Sequence, residues 1–217
     1  MSERASPYGY YDPEPALPLE RPLCLIGFLG SESSSVAALL SSLTGQPLID
    51  LDDWVEHEAG QSISALCQAR GDAAWRALEL RGLNKALKAQ RPSIISLGDG
   101  ALLSSEAQRL LKRSGARLIY IERPLPVLYQ NFLQLRQTSP SRFPYWSRRA
   151  PSGQEELEPL LSARLRAYQE ADLRLTAQDE PPLSLARSLA ARLSPAGPRL
   201  SLRVVPADER VSVRGDH

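Results

Sequence analysis

Lysine is scarce. Lys85, Lys88 and Lys112 are the only three in 217 residues, and arginine supplies the rest of the positive charge. Net charge is +1, which leaves no strong field to steer the chain toward nucleic acid or a membrane surface. Cysteine is also rare. Cys24 falls in a strand pattern and Cys67 in a helix pattern, so two buried thiols are expected rather than a disulfide. The two histidines, His57 and His217, are too few and too far apart to build a metal site without carboxylates. There is no apolar run of membrane-spanning length and no signal-type N-terminus, so a soluble, cytoplasmic protein is expected.

What is present is enough apolar residue, 42%, for a core, in a length suited to one domain. The organising stretch is Leu23 to Val36. An apolar run from Leu23 to Ile26 ends in Gly27, a short loop follows, and Val36 opens a helical pattern. Strand, loop and helix in that order form the setting of a phosphate-binding loop, whose pattern is Gly, four residues, then Gly-Lys-Ser/Thr. Gly27 is in place and Gly30 is an additional glycine, but Glu32-Ser33 stands where Gly-Lys is required. Ser34 and Ser35 follow. With lysine so scarce, no sequence neighbour supplies the missing cation.

Strand and helix patterns alternate from Leu23 onward. Strands are expected at Leu23–Ile26, 48–53, 93–97, 117–121 and 173–176. Helices are expected at 34–43, 54–59, 62–69, 73–87, 105–114, 126–135, 157–171 and 183–193, with Ala74, Leu78, Leu83 and Leu87 among the buried positions. The alternation implies an α/β fold with a parallel sheet covered on both faces. Ligands in such folds sit at the carboxyl ends of the strands. The Gly27 loop, the Asp50/Asp52 pair and the Gly98-Asp99-Gly100 turn all follow strands, so they are expected to converge on one cleft. Residues 1–21, with Tyr8, Tyr10 and Tyr11, read as a leader without periodicity, and 22–194 as the folded domain. Residues 137–156 read as a flap rich in Ser, Pro and Arg. Residues 195–217 alternate apolar and polar, as a tail or a small hairpin.

These pieces together resemble the shikimate kinase family, over about Leu23 to Leu193. Gly27-Phe28-Leu29-Gly30 resembles the start of its phosphate loop and Ile49-Asp50-Leu51-Asp52 its acidic strand end. Gly60-Gln-Ser-Ile63 resembles the turn into its substrate-binding helices. Gly71, Trp75-Arg76 and Glu79 resemble its Gly-Glu-x-x-Phe-Arg-x-x-Glu segment, and Arg164 with Tyr168 its Arg-x-x-x-Tyr. Gly98-Asp99-Gly100 sits where the family has three glycines. The resemblance implies a P-loop kinase-like three-layer α/β/α sandwich with a five-stranded parallel sheet and a lid. It implies ATP and Mg as cofactors and phosphate transfer to the 3-hydroxyl of shikimate. Arg76 and Arg164 then match the arginines that grip the shikimate carboxylate, a two-pronged contact suited to guanidinium. Asp52 matches the aspartate that holds the ring hydroxyls and acts as base. Asp50 and Ser34 match the magnesium ligands, and Gly98, Asp99 and Gly100 border the substrate. Arg136 and Arg142 match the adenine-stacking and phosphate-facing arginines of the lid.

The substrate half of this pattern is retained and the nucleotide half departs from it. Glu32 places a side chain and a negative charge where backbone should approach phosphate. Ser33 brings no charge, and loss of such a transition-state contact costs about 3 to 4 kcal/mol. Three functions are therefore open: a non-catalytic family member that binds shikimate or a similar small acid, as a sensor or as partner of another protein; an active kinase in which a flap arginine replaces the lysine; or an interaction module that uses its terminal segments.

Overall fold

The computed structural model describes residues 19–138 and 151–194. Five strands form one parallel sheet: β1 (Leu23–Gly27), β2 (Leu48–Asp50), β3 (Ile94–Ser96), β4 (Arg117–Glu122) and β5 (Leu173–Thr176), in the spatial order β2-β3-β1-β4-β5. Seven α-helices connect or flank them: α1 (Ser33–Thr44), α2 (Leu51–Ala59), α3 (Ile63–Leu87), α4 (Ser105–Ser114), α5 (Leu125–Thr138), α6 (Glu158–Tyr168) and α7 (Pro182–Leu193).

The sheet is buried on both faces because β1 offers apolar side chains to both. Leu23 and Leu25 face α1 and α7, packing with Val36, Leu40, Leu185 and Leu189. Cys24 and Ile26 face the other side, with Leu83, Leu111, Leu128, Phe132 and Tyr168. A smaller apolar group, Val55, Ile63, Leu66 and Trp75, joins α2 to both halves of α3. The α/β fold and its sheet are those expected.

Several details differ from the expectations. Asp52 and Asp53 are not in β2 but in the first turn of α2, because the Asp50 side chain caps that helix by accepting from both of their backbone N–H groups. The helices expected at 62–69 and 73–87 are the two halves of α3, interrupted by Gly71 at φ 76°. Of the four positions expected to be buried there, only Leu83 is fully so; Trp75 and Gly82 are buried in addition. Cys24 is buried, and burial pushes its thiol up to about 12. Cys67 is only half-buried, packed at the margin of the Val55, Ile63, Leu66 and Trp75 group, and it too is a free thiol. The residue 1–18 part of the leader, residues 139–150 of the flap with Arg142, and the tail from 195 lie outside the described residues.

The loop after β1 rests on α5 through Gly30. Its φ is +78°, and a Cβ there would run into the Leu128 carbonyl and within 2.9 Å of the Phe132 nitrogen. Both neighbours are helix backbone and cannot step aside. Gly30→Ala is therefore expected to lower stability by at least about 2 kcal/mol, combining left-handed strain with the clash. Chemical denaturation of the native and substituted chains measures it.

Candidate functional site

The strand order places the carboxyl ends of β2, β3, β1 and β4 side by side. The Gly27 loop, the start of α2, the Gly98–Gly100 turn and the segment after β4 all leave the sheet there. Two clusters of polar side chains occupy this edge.

The first is built on the loop between β1 and α1. Ser31 N–H donates to the Phe28 carbonyl at 2.8 Å, closing a turn, and a Cβ on Gly27 would strike the Ser31 side chain. The loop thus has its tight form. Glu32 precedes α1 at φ 60° and ψ 26°, the one non-glycine residue with positive φ among the described residues. A non-glycine residue held there costs about 1–2 kcal/mol, so something must hold it. Arg123, directly after β4, does so. Its side chain is 1% exposed and lies 3.2 Å from Glu32 Oε2. Three further contacts hold it: Nε donates to the Ser31 carbonyl at 3.2 Å, Nη1 to the Gln178 carbonyl at 3.1 Å and Nη2 to the Glu180 carbonyl at 2.7 Å. Asn131 of α5 adds Nδ2 contacts to the Gly30 carbonyl at 3.0 Å and to Glu32 Oε2 at 3.3 Å.

Despite this pairing, the Glu32 carboxyl is shifted upward. Burial raises it more than Arg123 lowers it, and Asp179 adds repulsion. The arginine serves three carbonyls besides Glu32, so the carboxylate has only a share of it. Ser33, where the pattern asks for lysine, is buried, and its N–H approaches Ser31 Oγ at 3.4 Å. Ser34 is exposed and Ser35 half-buried at the start of α1. Arg136 is half-buried in the last turn of α5.

The second cluster surrounds the turn after β3. Arg76 Nη1 pairs with Glu79 Oε2 at 2.7 Å, one turn along α3, and its guanidinium stacks on the Trp75 ring at 3.8 Å. Gly100 leaves the space that Arg76 fills, since a Cβ there would meet its Nη2. At Gly98 a Cβ would lie 2.5 Å from Glu79 Oε1 and 3.3 Å from Asp52 Oδ1, so both carboxylates border that glycine. Glu79 is buried and its Oε1 has no hydrogen-bond partner; burial, opposed by Arg76, shifts its carboxyl upward. From α6, Arg164 Nε lies 2.9 Å from Asp99 Oδ2, and Tyr168 O–H donates to the Asp99 carbonyl. The structure therefore brings Asp52, Arg76, Gly98, Asp99, Gly100 and Arg164 near one another. Asp50, at the end of β2, turns one carboxylate oxygen to capping α2. Among the described residues, no group of three His, Cys, Asp or Glu side chains forms a metal centre, and no helix is long and apolar enough to cross a membrane.

Sequence reasoning missed Arg123 and Asn131. The available signal was an arginine one residue beyond an apolar strand that had to lie near β1, but no spacing rule links it to Glu32.

A parallel sheet with a glycine loop between its first strand and helix, and with these acidic and arginine clusters at its carboxyl edge, defines a phosphotransferase-type α/β fold. Residues 30–194 match the family described as shikimate kinase. The chain belongs to that family. The Rhizobium meliloti shikimate kinase is 30% identical over 160 residues, covering 74% of this chain and 79% of that one. The Persephonella marina shikimate kinase is 26% identical over 173 residues, covering 80% and 99%. Among solved structures, the Acinetobacter baumannii shikimate kinase in complex with shikimate shares the fold with a TM-score of 0.69 at 21% identity, covering 78% of this chain and 91% of that one. The Aquifex aeolicus shikimate kinase gives a TM-score of 0.64 at 25% identity, covering 77% and 93%.

The arrangement around Arg123 separates its two partners. Arg123→Met leaves three carbonyls and Glu32 without their buried donor and is expected to cost about 3 kcal/mol of stability. Glu32→Gln keeps acceptors for Arg123 and Asn131 and removes a carboxylate that burial disfavours. Its stability at pH 7 is expected to stay within about 1 kcal/mol of native or to rise. Denaturation curves of the two variants check the contrast.

Proposed function

We propose that this chain is a shikimate kinase family protein that does not transfer phosphate, or does so only at a severely reduced rate. The reading rests on one observation: the position after Ser31 in the phosphate loop carries Glu32, whose carboxylate is held by Arg123 inside the protein. A kinase loop binds phosphate with bare backbone N–H groups, a lysine and a magnesium ion. Here Ser33 is neutral, Glu32 is an anion, and Arg123 directs Nε, Nη1 and Nη2 to protein oxygens. This donor set does not fit Mg·ATP, so no catalytic step is assigned to these residues.

On this reading Asp52, Arg76, Glu79 and Arg164 form a cleft for a small molecule, and binding rather than turnover is its use. Asp52 stands where a base is needed in an active relative, yet a base is idle without a bound phosphoryl donor. The Ser34 hydroxyl and Asp50 match magnesium positions by resemblance, but a hydroxyl and one capping carboxylate do not hold nucleotide alone. A sensing or partner role follows for a protein that keeps such a cleft.

The test is ADP release, measured with purified full-length chain, Mg·ATP and shikimate at millimolar concentration. Release at the background rate of ATP alone is expected. Shikimate-dependent turnover that Arg142→Ala abolishes would overturn the proposal and favour a kinase in which the flap arginine replaces the loop lysine.

A further inference from the structure

The acceptor cleft raises a separate question: which chemical class it takes. The family resemblance assigns Arg76 and Arg164 to an acid's carboxylate. In this chain both guanidiniums already face carboxylates of the protein, Arg76 to Glu79 at 2.7 Å and Arg164 to Asp99 at 2.9 Å.

The Arg164–Asp99 pair is a built contact. The Arg164 side chain is 9% exposed and that of Asp99 16%. The two contacting atoms, Nε and Oδ2, are themselves shut off from solvent, and the contact is charge against charge rather than a well-aligned hydrogen bond. Arg164 is fixed from behind by Nη1 donating to the Leu160 carbonyl at 2.8 Å. Asp99 is fixed at its backbone, where its carbonyl accepts from Tyr168 O–H. Arg164 and Tyr168 lie one turn apart on α6, so a single helix face grips Asp99 at both ends. Tyr168 is fully buried against Tyr120, which anchors that face to β4.

An incoming carboxylate would have to displace Asp99 from Arg164 and then remain beside it. Displacement strands a half-buried carboxylate, and proximity sets two like charges together; both oppose binding. Elsewhere the cleft keeps the acidic positions of the family pattern, so the change of class is carried by Asp99 alone. Glu79 is a buried side chain whose Oε1 lacks a hydrogen-bond partner, and with Asp52 it borders Gly98. Carboxylate oxygens accept hydrogen bonds, so these positions suit hydroxyl groups of a ligand.

We infer that Asp99 takes the place of a ligand carboxylate on Arg164, so that this cleft selects uncharged polyhydroxy ring compounds over carboxylic acids. The inference rests on the cleft proposed above but not on the state of the phosphate loop. Asp99 is then the specificity-determining residue, and any donor of ligand to this protein is a reaction whose product carries ring hydroxyls without a free acid.

Two probes decide it, used without nucleotide: shikimate, and the uncharged analogue in which a hydroxymethyl group replaces its carboxylate. Calorimetry and ligand-detected NMR on the full-length native chain are expected to show the alcohol binding at least about tenfold more tightly than the acid. Asp99→Gly, and independently Asp99→Asn, are expected to tighten shikimate by about tenfold or more, and adding Arg164→Met to either variant should remove the gain. Circular dichroism identifies a variant that fails to fold, and the native preference between the two probes stands without variants. Native chain that binds shikimate as tightly as the alcohol, or that binds neither, would overturn the inference. So would a folded Asp99→Gly chain with no gain for the acid. Phosphoryl transfer enters none of these readouts, so turnover in the ADP assay would overturn the silent-kinase proposal and leave this one standing.

Discussion

A single buried guanidinium holds together the edge of the sheet where ligands are expected. Arg123 leaves the end of β4 and reaches the loop after β1, the segment before α7, and Glu32 at the entrance to α1. Removing a charge from water is costly, and the cost is offset only when every donor finds an acceptor. Here the acceptors come from two separate chain segments, the loop at Ser31 and Glu32 and the stretch from Gln178 to Glu180, so the loop shape, the approach of α7 and the left-handed turn at Glu32 depend on one another. A phosphate loop is ordinarily shaped around the anion it binds. In this chain the anion beside the loop is a side chain of the loop itself.

The acceptor side repeats this theme with different residues. Asp99 stands in a turn between two glycines, and its carboxylate meets Arg164. Gly98 and Gly100 leave room for side chains, one beside Glu79 and Asp52, the other beside Arg76. The cleft thus keeps its backbone form while its charges are balanced internally. Glu32 and Asp99 are each an acidic residue at a position where the family pattern has glycine, and each faces an arginine drawn from another element. The proposed loss of nucleotide binding and the proposed change of ligand class follow from the same kind of replacement, a bound anion exchanged for a tethered one.

The sheet and the order of its elements were legible because apolar strand patterns alternate with helical ones, and because Gly45, Gly60 and Gly71 mark breaks that the structure places at helix ends or at a kink. α4 and β5 have the bounds expected from their periodicity and flanking residues. The β2–α2 boundary is not legible, since Asp50 caps by its side chain and Asp50-Leu51-Asp52-Asp53 gives no sign of which aspartate does so. The charge conflict at Glu32-Ser33 was visible as a departure from a pattern. Its partner was not, because Arg123 is distant in sequence and becomes a neighbour only when β4 pairs with β1. The same holds for Asp99 and Arg164: each stands out in the sequence alone, but their contact depends on how α6 lies across the turn after β3.

The central claim is that the loop has exchanged nucleotide binding for an internal carboxylate. Its most direct test is a calorimetric titration of Mg·ATP into the native chain and into the double variant Glu32→Gly/Ser33→Lys, without any acceptor. The account predicts no saturable heat for the native chain at millimolar nucleotide and saturable binding for the variant, whose loop regains a bare backbone position and a cation. Saturable binding of Mg·ATP by the native chain would contradict it.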